Sequence, residues 1–230
     1  MRRVAVCSGV TVLFGLLVGG CSSNSADDPA DARRARSEMV ERLAKGGRIS
    51  DKRVLDAMRS VRRHQLLDAS WWPQAYSDQA IALDSLRALP SPLLSAAIAQ
   101  ELNPLSKHRI LLISPQTAYE AAILGKLCSR VVVVVLTEQD CAPLRDQLTK
   151  LGATNVDVHA TDVAQGWPAN APYDGVLIGG ETGGRPSSKL TEQMASHGVL
   201  VEYNGPYAQR VVVYRMQEHD LALYRTVNLG

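Results

Sequence analysis

The chain has 230 residues, 46% hydrophobic and 21% charged, enough for one domain with its own core and too few for two large ones. Its formal charge is +2, and once Arg2 and Arg3 are set aside with the N-terminal segment expected to be removed, cations and acids balance at 23 each. No basic stripe remains to suggest a nucleic-acid partner. Phe14 is the only phenylalanine, so the core must rest on Leu, Val, Ile and Ala.

Met1-Arg2-Arg3 is a short positive start, Val4 to Val18 is mostly apolar, and Gly19-Gly20-Cys21 follows. These are the parts of a secretory signal peptide, and the apolar run falls short of the roughly 20 residues a transmembrane helix needs. Val18-Gly19-Gly20-Cys21 resembles a bacterial lipobox, in which the cysteine is lipidated and becomes the new N-terminus. Ordinary signal cleavage and an uncleaved anchor are the competing readings. The lipobox resemblance implies a protein of the bacterial cell envelope, held to the membrane through lipid on Cys21. Ser22 after the cysteine favours the outer membrane, facing the periplasm. Ser22 to Arg36 is polar, small and free of aromatics, and such a stretch buries too little apolar surface to offset its ordering entropy. The expected organisation is a signal peptide at 1–20, lipidated Cys21 with a flexible tether at 21–36, and a body at 37–230. The Ala/Arg end of the tether could instead open the next helix.

Apolar residues at helical spacing predict helices over Ser37–Lys45 and Ser50–Val61, broken by Gly46-Gly47, with Ser50-Asp51 as a cap. Pro92 opens a helix through Leu102, since proline is tolerated in the first turn. From Arg109 the pattern changes to strands at Arg109–Ile113, Arg130–Leu136, Val156–His159, Gly175–Ile178, Val199–Tyr203 and Arg210–Arg215, with a last one at Tyr224–Val227. Helices are predicted over Ala118–Leu127, Ala142–Leu151 and Lys189–Met194, and the acids of Thr137-Glu138-Gln139-Asp140 suit a helix start. Five consecutive valines from Val131 suggest a strand buried on both faces. The alternation implies an α/β fold, a seven-stranded, mainly parallel sheet with helices on both faces and an N-terminal helical subdomain. Ligands in such folds sit at the carboxyl ends of strands near the switch point. Cys128 and Cys141 fall at opposite ends of that sheet and are expected to be buried thiols rather than a disulfide, and no Cys/His spacing suggests a metal.

Met39-Val40-Glu41-Arg42-Leu43, Asp51 to Met58, Val61-Arg62-Arg63-His64 and Ala75-Tyr76-Ser77-Asp78 each resemble segments of the protein-L-isoaspartate O-methyltransferases. The most specific match is Gly166-Trp167-Pro168 followed by Ala171-Pro172-Tyr173-Asp174. The resemblance runs from about Ser37 to the C-terminus and implies a Rossmann-like methyltransferase fold that uses S-adenosylmethionine.

The family's cofactor residues are altered. Its loop resembles Glu-x-Gly-x-Gly-x-Gly, where glycines let backbone amides approach the cofactor. Here the acid is Leu112, the glycines are Ser114, Gln116 and Ala118, and Pro115 removes an amide. The acid that would hold the ribose is Val135, and reaching Glu138 would need a gap. The family's Thr-Ile-Ser-Gln-Pro becomes Ala88-Leu89-Pro90-Ser91-Pro92, with Pro90 at the serine implicated in methyl transfer. Asp162 alone keeps a cofactor-side acid, and a loop or cap aspartate is the competing reading.

The resulting expectation is an envelope lipoprotein that has given up methyl transfer, expects no cofactor, and acts as a binding or accessory subunit for an envelope protein partner. On this reading no residue is catalytic. Pro90, Ser91, Gly179, Gly180 and Glu181 mark the possible ligand or partner edge. The alternative is an active S-adenosylmethionine-dependent enzyme with a divergent loop, holding its cofactor through Ser114, Gln116, Ala118 and Asp162. His64 reads as a helix-end residue rather than a base. Trp71-Trp72-Pro73 reads as packing of the helical subdomain, with an aromatic platform as the alternative.

Overall fold

A computed structural model describes residues 28–85, 87–179, 186–218 and 220–230. The expected signal peptide, Cys21, Gly180 and Glu181 lie outside these residues. The first helix, α1, spans Ala30–Lys45 and buries Ala32, Arg36, Met39, Val40 and Leu43 along one face. It begins seven residues before Ser37, which corrects the extent of the expected tether: residues 30–36 are helical. The cause is Arg36, whose guanidinium binds both carboxylate oxygens of Asp28 at 3.0 and 2.9 Å and the Tyr76 hydroxyl at 3.1 Å. A paired arginine can be buried, and composition counted it as a solvated charge.

Helix α2 (Lys52–Ser60) is capped by Asp51, which accepts the Arg53 amide. Two 3-10 turns follow, Arg63–Leu66 and Ala69–Gln74, then a hairpin of β1 (Ile81–Ala82) and β2 (Ala88–Leu89). Helix α3 (Pro92–Leu102) is capped by the Ser91 hydroxyl, has Pro92 in its first turn and ends at left-handed Asn103. This is the proline-first, left-handed-last asymmetry of helix ends.

The main sheet is built by β3 (Arg109–Ile113), β4 (Arg130–Val135), β5 (Val156–Ala160), β6 (Tyr173–Gly179), β7 (Met194–Tyr203), β8 (Arg210–Gln217) and β9 (Asp220–Asn228). Its order is β5-β4-β3-β6-β7-β8-β9, parallel through β7 and antiparallel for the last two strands. The expected seven-stranded, mainly parallel sheet is borne out. Helices α4 (Tyr119–Gly125), α5 (Glu138–Lys150) and α6 (Ser188–Thr191) lie between strands. Met194 corrects the expected helix over Lys189–Met194, because it opens β7 instead. The Gln193 carbonyl accepts the Tyr173 amide at 2.8 Å, which starts the β6/β7 pairing and stops α6 after one turn.

The pleat divides the core. Ile110, Leu112, Val131, Val133 and Val135 face α1 to α5, and Leu111, Ile113, Val132 and Val134 face the side that carries α6 and Trp167. All five valines of β4 from Val131 are buried, as a strand covered on both faces requires. Cys128 and Cys141 are buried free thiols, before and after β4.

Candidate functional site

The chain runs outward from β3 to β4 and β5, then returns to the other side of β3 as β6. That reversal is the switch point of an open parallel sheet, where a crevice forms beyond the strand ends. A cleft of about 540 Å³ opens beyond β3 and β4, lined by Ser114, Pro115, Gln116, Val135, Leu136 and Asp140 among others. The tip of the β1–β2 hairpin closes another side, where Asp84 accepts the Arg87 amide at 2.7 Å and its guanidinium at 2.8 Å. This hairpin was not foreseen from sequence; the Asp-x-x-Arg spacing at its tip was the available signal.

The loop after β3 keeps a left-handed turn at its first residue. Ser114 sits at φ +51, where a side chain costs about 1–2 kcal/mol. Its amide donates to the Val134 carbonyl at 2.9 Å. Pro115 has no N–H. The Ala118 amide donates to Gln147 Oε1 on α5 at 2.9 Å, and Ala118 itself is buried behind the cleft. Gln147 was not anticipated either, since its role depends on α5 lying against the loop. Gln116 Oε1 is buried without a hydrogen-bond partner.

The acid positions are equally altered. Leu112 is inside the sheet, opposite Val133 and Leu177, and is 1% exposed. Val135 ends β4 with its side chain packed toward the helices. Glu138 instead pairs with Arg145 at 3.0 Å and does not line the cleft. Asp140 does line it, but its carboxylate is bound to the Thr137 amide and hydroxyl as the helix cap of α5. Asp162 is an exposed cap, accepting the amides of Ala164 and the Gln165 side chain. Of the four residues expected to hold a cofactor in an active enzyme, the structure brings Ser114 and Gln116 to the cleft and leaves Ala118 and Asp162 off it. This donor and acceptor set does not fit S-adenosylmethionine as the resemblance would have it bound.

The second expected edge is also divided. Ser91 caps α3 through the Leu94 amide and lines a separate hollow of about 340 Å³ with Asp78, Tyr207 and Gln209. Pro90 is buried beside it and lines neither space. Gly179 ends β6 beneath Tyr203, where a Cβ would lie 2.7 Å from the hydroxyl, so this glycine is explained by close packing. His64 is fully buried, bonded to the Tyr76 hydroxyl at 2.8 Å and edge-on to Trp72 at 4.8 Å. Trp72 therefore packs, whereas Trp71 remains 50% exposed.

Behind the loop, Arg63 is wholly buried, with Nε bonded to the Ala75 carbonyl and its guanidinium over the Tyr119 ring at 4.9 Å. Glu120 is buried too and accepts the Ser95 hydroxyl at 2.7 Å. Burial pulls the Arg63 pKa down and pushes the Glu120 pKa up, each toward its neutral form. Neither lines the cleft.

The sequence profile of protein-L-isoaspartate(D-aspartate) O-methyltransferase matches residues 34–228. A protein-L-isoaspartate O-methyltransferase from Methanoregula boonei is 34% identical over 190 residues, covering 83% of this chain and 86% of its own. One from Geobacter metallireducens is 31% identical over 193 residues, covering 83% and 88%. Among solved structures, a protein-L-isoaspartate O-methyltransferase superposes with a TM-score of 0.70 at 21% identity, over 85% of this chain and 66% of that one. A putative enzyme of that name from Plasmodium falciparum, in complex with S-adenosyl-L-homocysteine, gives 0.64 at 14% identity, over 85% and 98%. At such identity these two establish a shared fold, the Rossmann-like methyltransferase fold.

Proposed function

The chain belongs to the protein-L-isoaspartate(D-aspartate) O-methyltransferase family, and we propose that it is a lipid-anchored envelope member that keeps the fold as a binding body and does not transfer methyl groups. The observation that carries this reading is the cofactor loop: the Ser114 and Ala118 amides are bonded internally, Pro115 has none, and Val135 stands where an acid would meet the ribose. An amide already bonded inside the fold offers a ligand nothing without first breaking that bond. The signal-like N-terminus supports the same reading, since S-adenosylmethionine is made and kept in the cytosol. The partner is an envelope protein or small ligand, met at the cleft or along the edge marked by Ser91 and Tyr207.

A second reading has its own support. The relatives at 31–34% identity are named as methyltransferases, and a cleft of about 540 Å³ remains beyond β3 and β4. On that reading the chain is an isoaspartyl methyltransferase with a divergent loop. Calorimetric titration of S-adenosylmethionine into the processed chain, shown to be folded, separates the two. The proposal expects no saturable heat up to millimolar cofactor. Saturation in the micromolar range, followed by methylation of an isoaspartyl peptide, would establish the second reading instead.

A further inference from the structure

The structure sets how close the body must sit to the membrane, an inference that rests on the reading of Cys21 as the lipid-bearing residue. Asp28 is the first described residue, and it is fixed. Its carboxylate is held by Arg36 at 2.9 Å, with Arg62 at 3.6 Å and His64 at 4.0 Å, and its carbonyl accepts a hydrogen bond from Arg33. Six residues, 22–27, separate Cys21 from this point, and the seven chain steps span at most about 25 Å. A body of some 200 residues is about 40 Å across. The leash is shorter than the body, so Asp28 cannot lie at the end farthest from the bilayer.

The body presents an exposed tryptophan close to Asp28. His64 contacts Asp28 on one side and the Trp72 ring, 4.8 Å away, on the other. Trp72 is anchored through its indole N–H to the Leu67 carbonyl at 3.2 Å. Trp71, its neighbour in the 3-10 turn Ala69–Gln74, is 50% exposed. Tryptophan favours the membrane–water interface, where the ring meets the acyl boundary and the N–H meets water. The nearby cations outnumber the acids: Arg34 pairs with Asp31 at 2.9 Å, while Arg36 and Arg62 share the one carboxylate of Asp28 at 2.9 and 3.6 Å.

We propose that the turn Ala69–Gln74 is the membrane seat of the body, with Trp71 inserted at the lipid interface beside the anchor. The turn itself carries no charge, and the excess of cations beside it favours anionic lipid. The test uses the full processed protein purified from membranes. Mass spectrometry of its N-terminal peptide first establishes lipid on Cys21. The protein is then placed in phosphatidylcholine vesicles with brominated acyl chains, and tryptophan fluorescence is read. Strong quenching is expected in the natural protein, no weaker when phosphatidylglycerol is added and largely lost in Trp71→Ser. Trp71→Phe serves in its place if the serine variant melts early. Quenching that is absent, or equal in the variant, with lipid on Cys21, would overturn the seat and leave the turn to a protein partner. A peptide without lipid on Cys21 would instead overturn the anchor and the seat together.

Discussion

Replacing Asp28 with alanine removes the carboxylate that fastens the start of α1. The Arg36 side chain is 9% exposed and that of Asp28 11%, so the pair is nearly out of water. Burial raises the Asp28 carboxyl, but the Arg36 hydrogen bond and charge, with Arg62 and His64, outweigh it and hold its pKa below the usual 3.8. Asp28→Ala leaves the buried Arg36 with the Tyr76 hydroxyl. An ion pair broken from one side costs about 3–5 kcal/mol. In a chain of this size each kcal/mol is worth about 2–4 °C of melting temperature, so a fall of about 6–20 °C is expected. Removing both charges in Asp28→Ala/Arg36→Met should recover most of the loss, since an apolar side chain tolerates that site better than an unpaired cation. Urea unfolding of the four proteins in a double-mutant cycle measures the coupling, expected above about 1.5 kcal/mol. The acid limb carries a second signature. A depressed carboxyl stabilises fully above 3.8, and that contribution is lost as pH falls through its folded value, so Asp28→Ala should flatten the limb. Additivity within about 0.5 kcal/mol would refute the argument and return residues 28–36 to a loosely held tether.

Gly166 sits at φ +64, and a Cβ there would come within 2.8 Å of both Leu190 and Gln193. Gly166→Ala is expected to cost about 2–4 kcal/mol in urea unfolding, from strain and from the displaced Gln193 bonds. Cys128 is buried and its thiol is pushed up to about 12 by burial. Together with buried Cys141 it should resist a thiol reagent in native buffer and react at once in denaturant, which absorbance follows directly. His159 stacks on Trp167 at 3.8 Å, and burial holds its pKa below 6.5 against the pull of Asp157. A depressed histidine favours the neutral folded form, so stability should fall as pH drops from 6.5 through its folded pKa, and His159→Gln should remove that slope in melts across this range.

Much of the fold was legible because it depends on local patterns. The five valines of β4, the proline that starts α3 and the acids that start α5 act through neighbours in the chain, and each appears where its pattern placed it. The motif from Gly166 to Asp174 was legible for a related reason: Gly166 needs φ +64, and the Tyr173 hydroxyl donates to the Trp167 carbonyl at 2.7 Å within the same segment. Boundaries were less legible where distant groups set them. Helix α1 starts at Ala30 because Arg36 meets Asp28 and Tyr76, and α6 stops early because Gln193 meets Tyr173 across the sheet.

By itself the sequence determined the family, the order of strands and helices, and the loss of acids and glycines from the cofactor loop, because residue identity settles which groups can donate or accept. Only the tertiary structure decided where the remaining polar groups are spent. Gln147 reaches the Ala118 amide from α5, Asp140 turns back to cap its own helix, and Asp162 caps a turn off the cleft. Sequence lists donors and acceptors, but a hydrogen bond needs its partner within about 3 Å, and that proximity comes from packing of elements far apart in the chain.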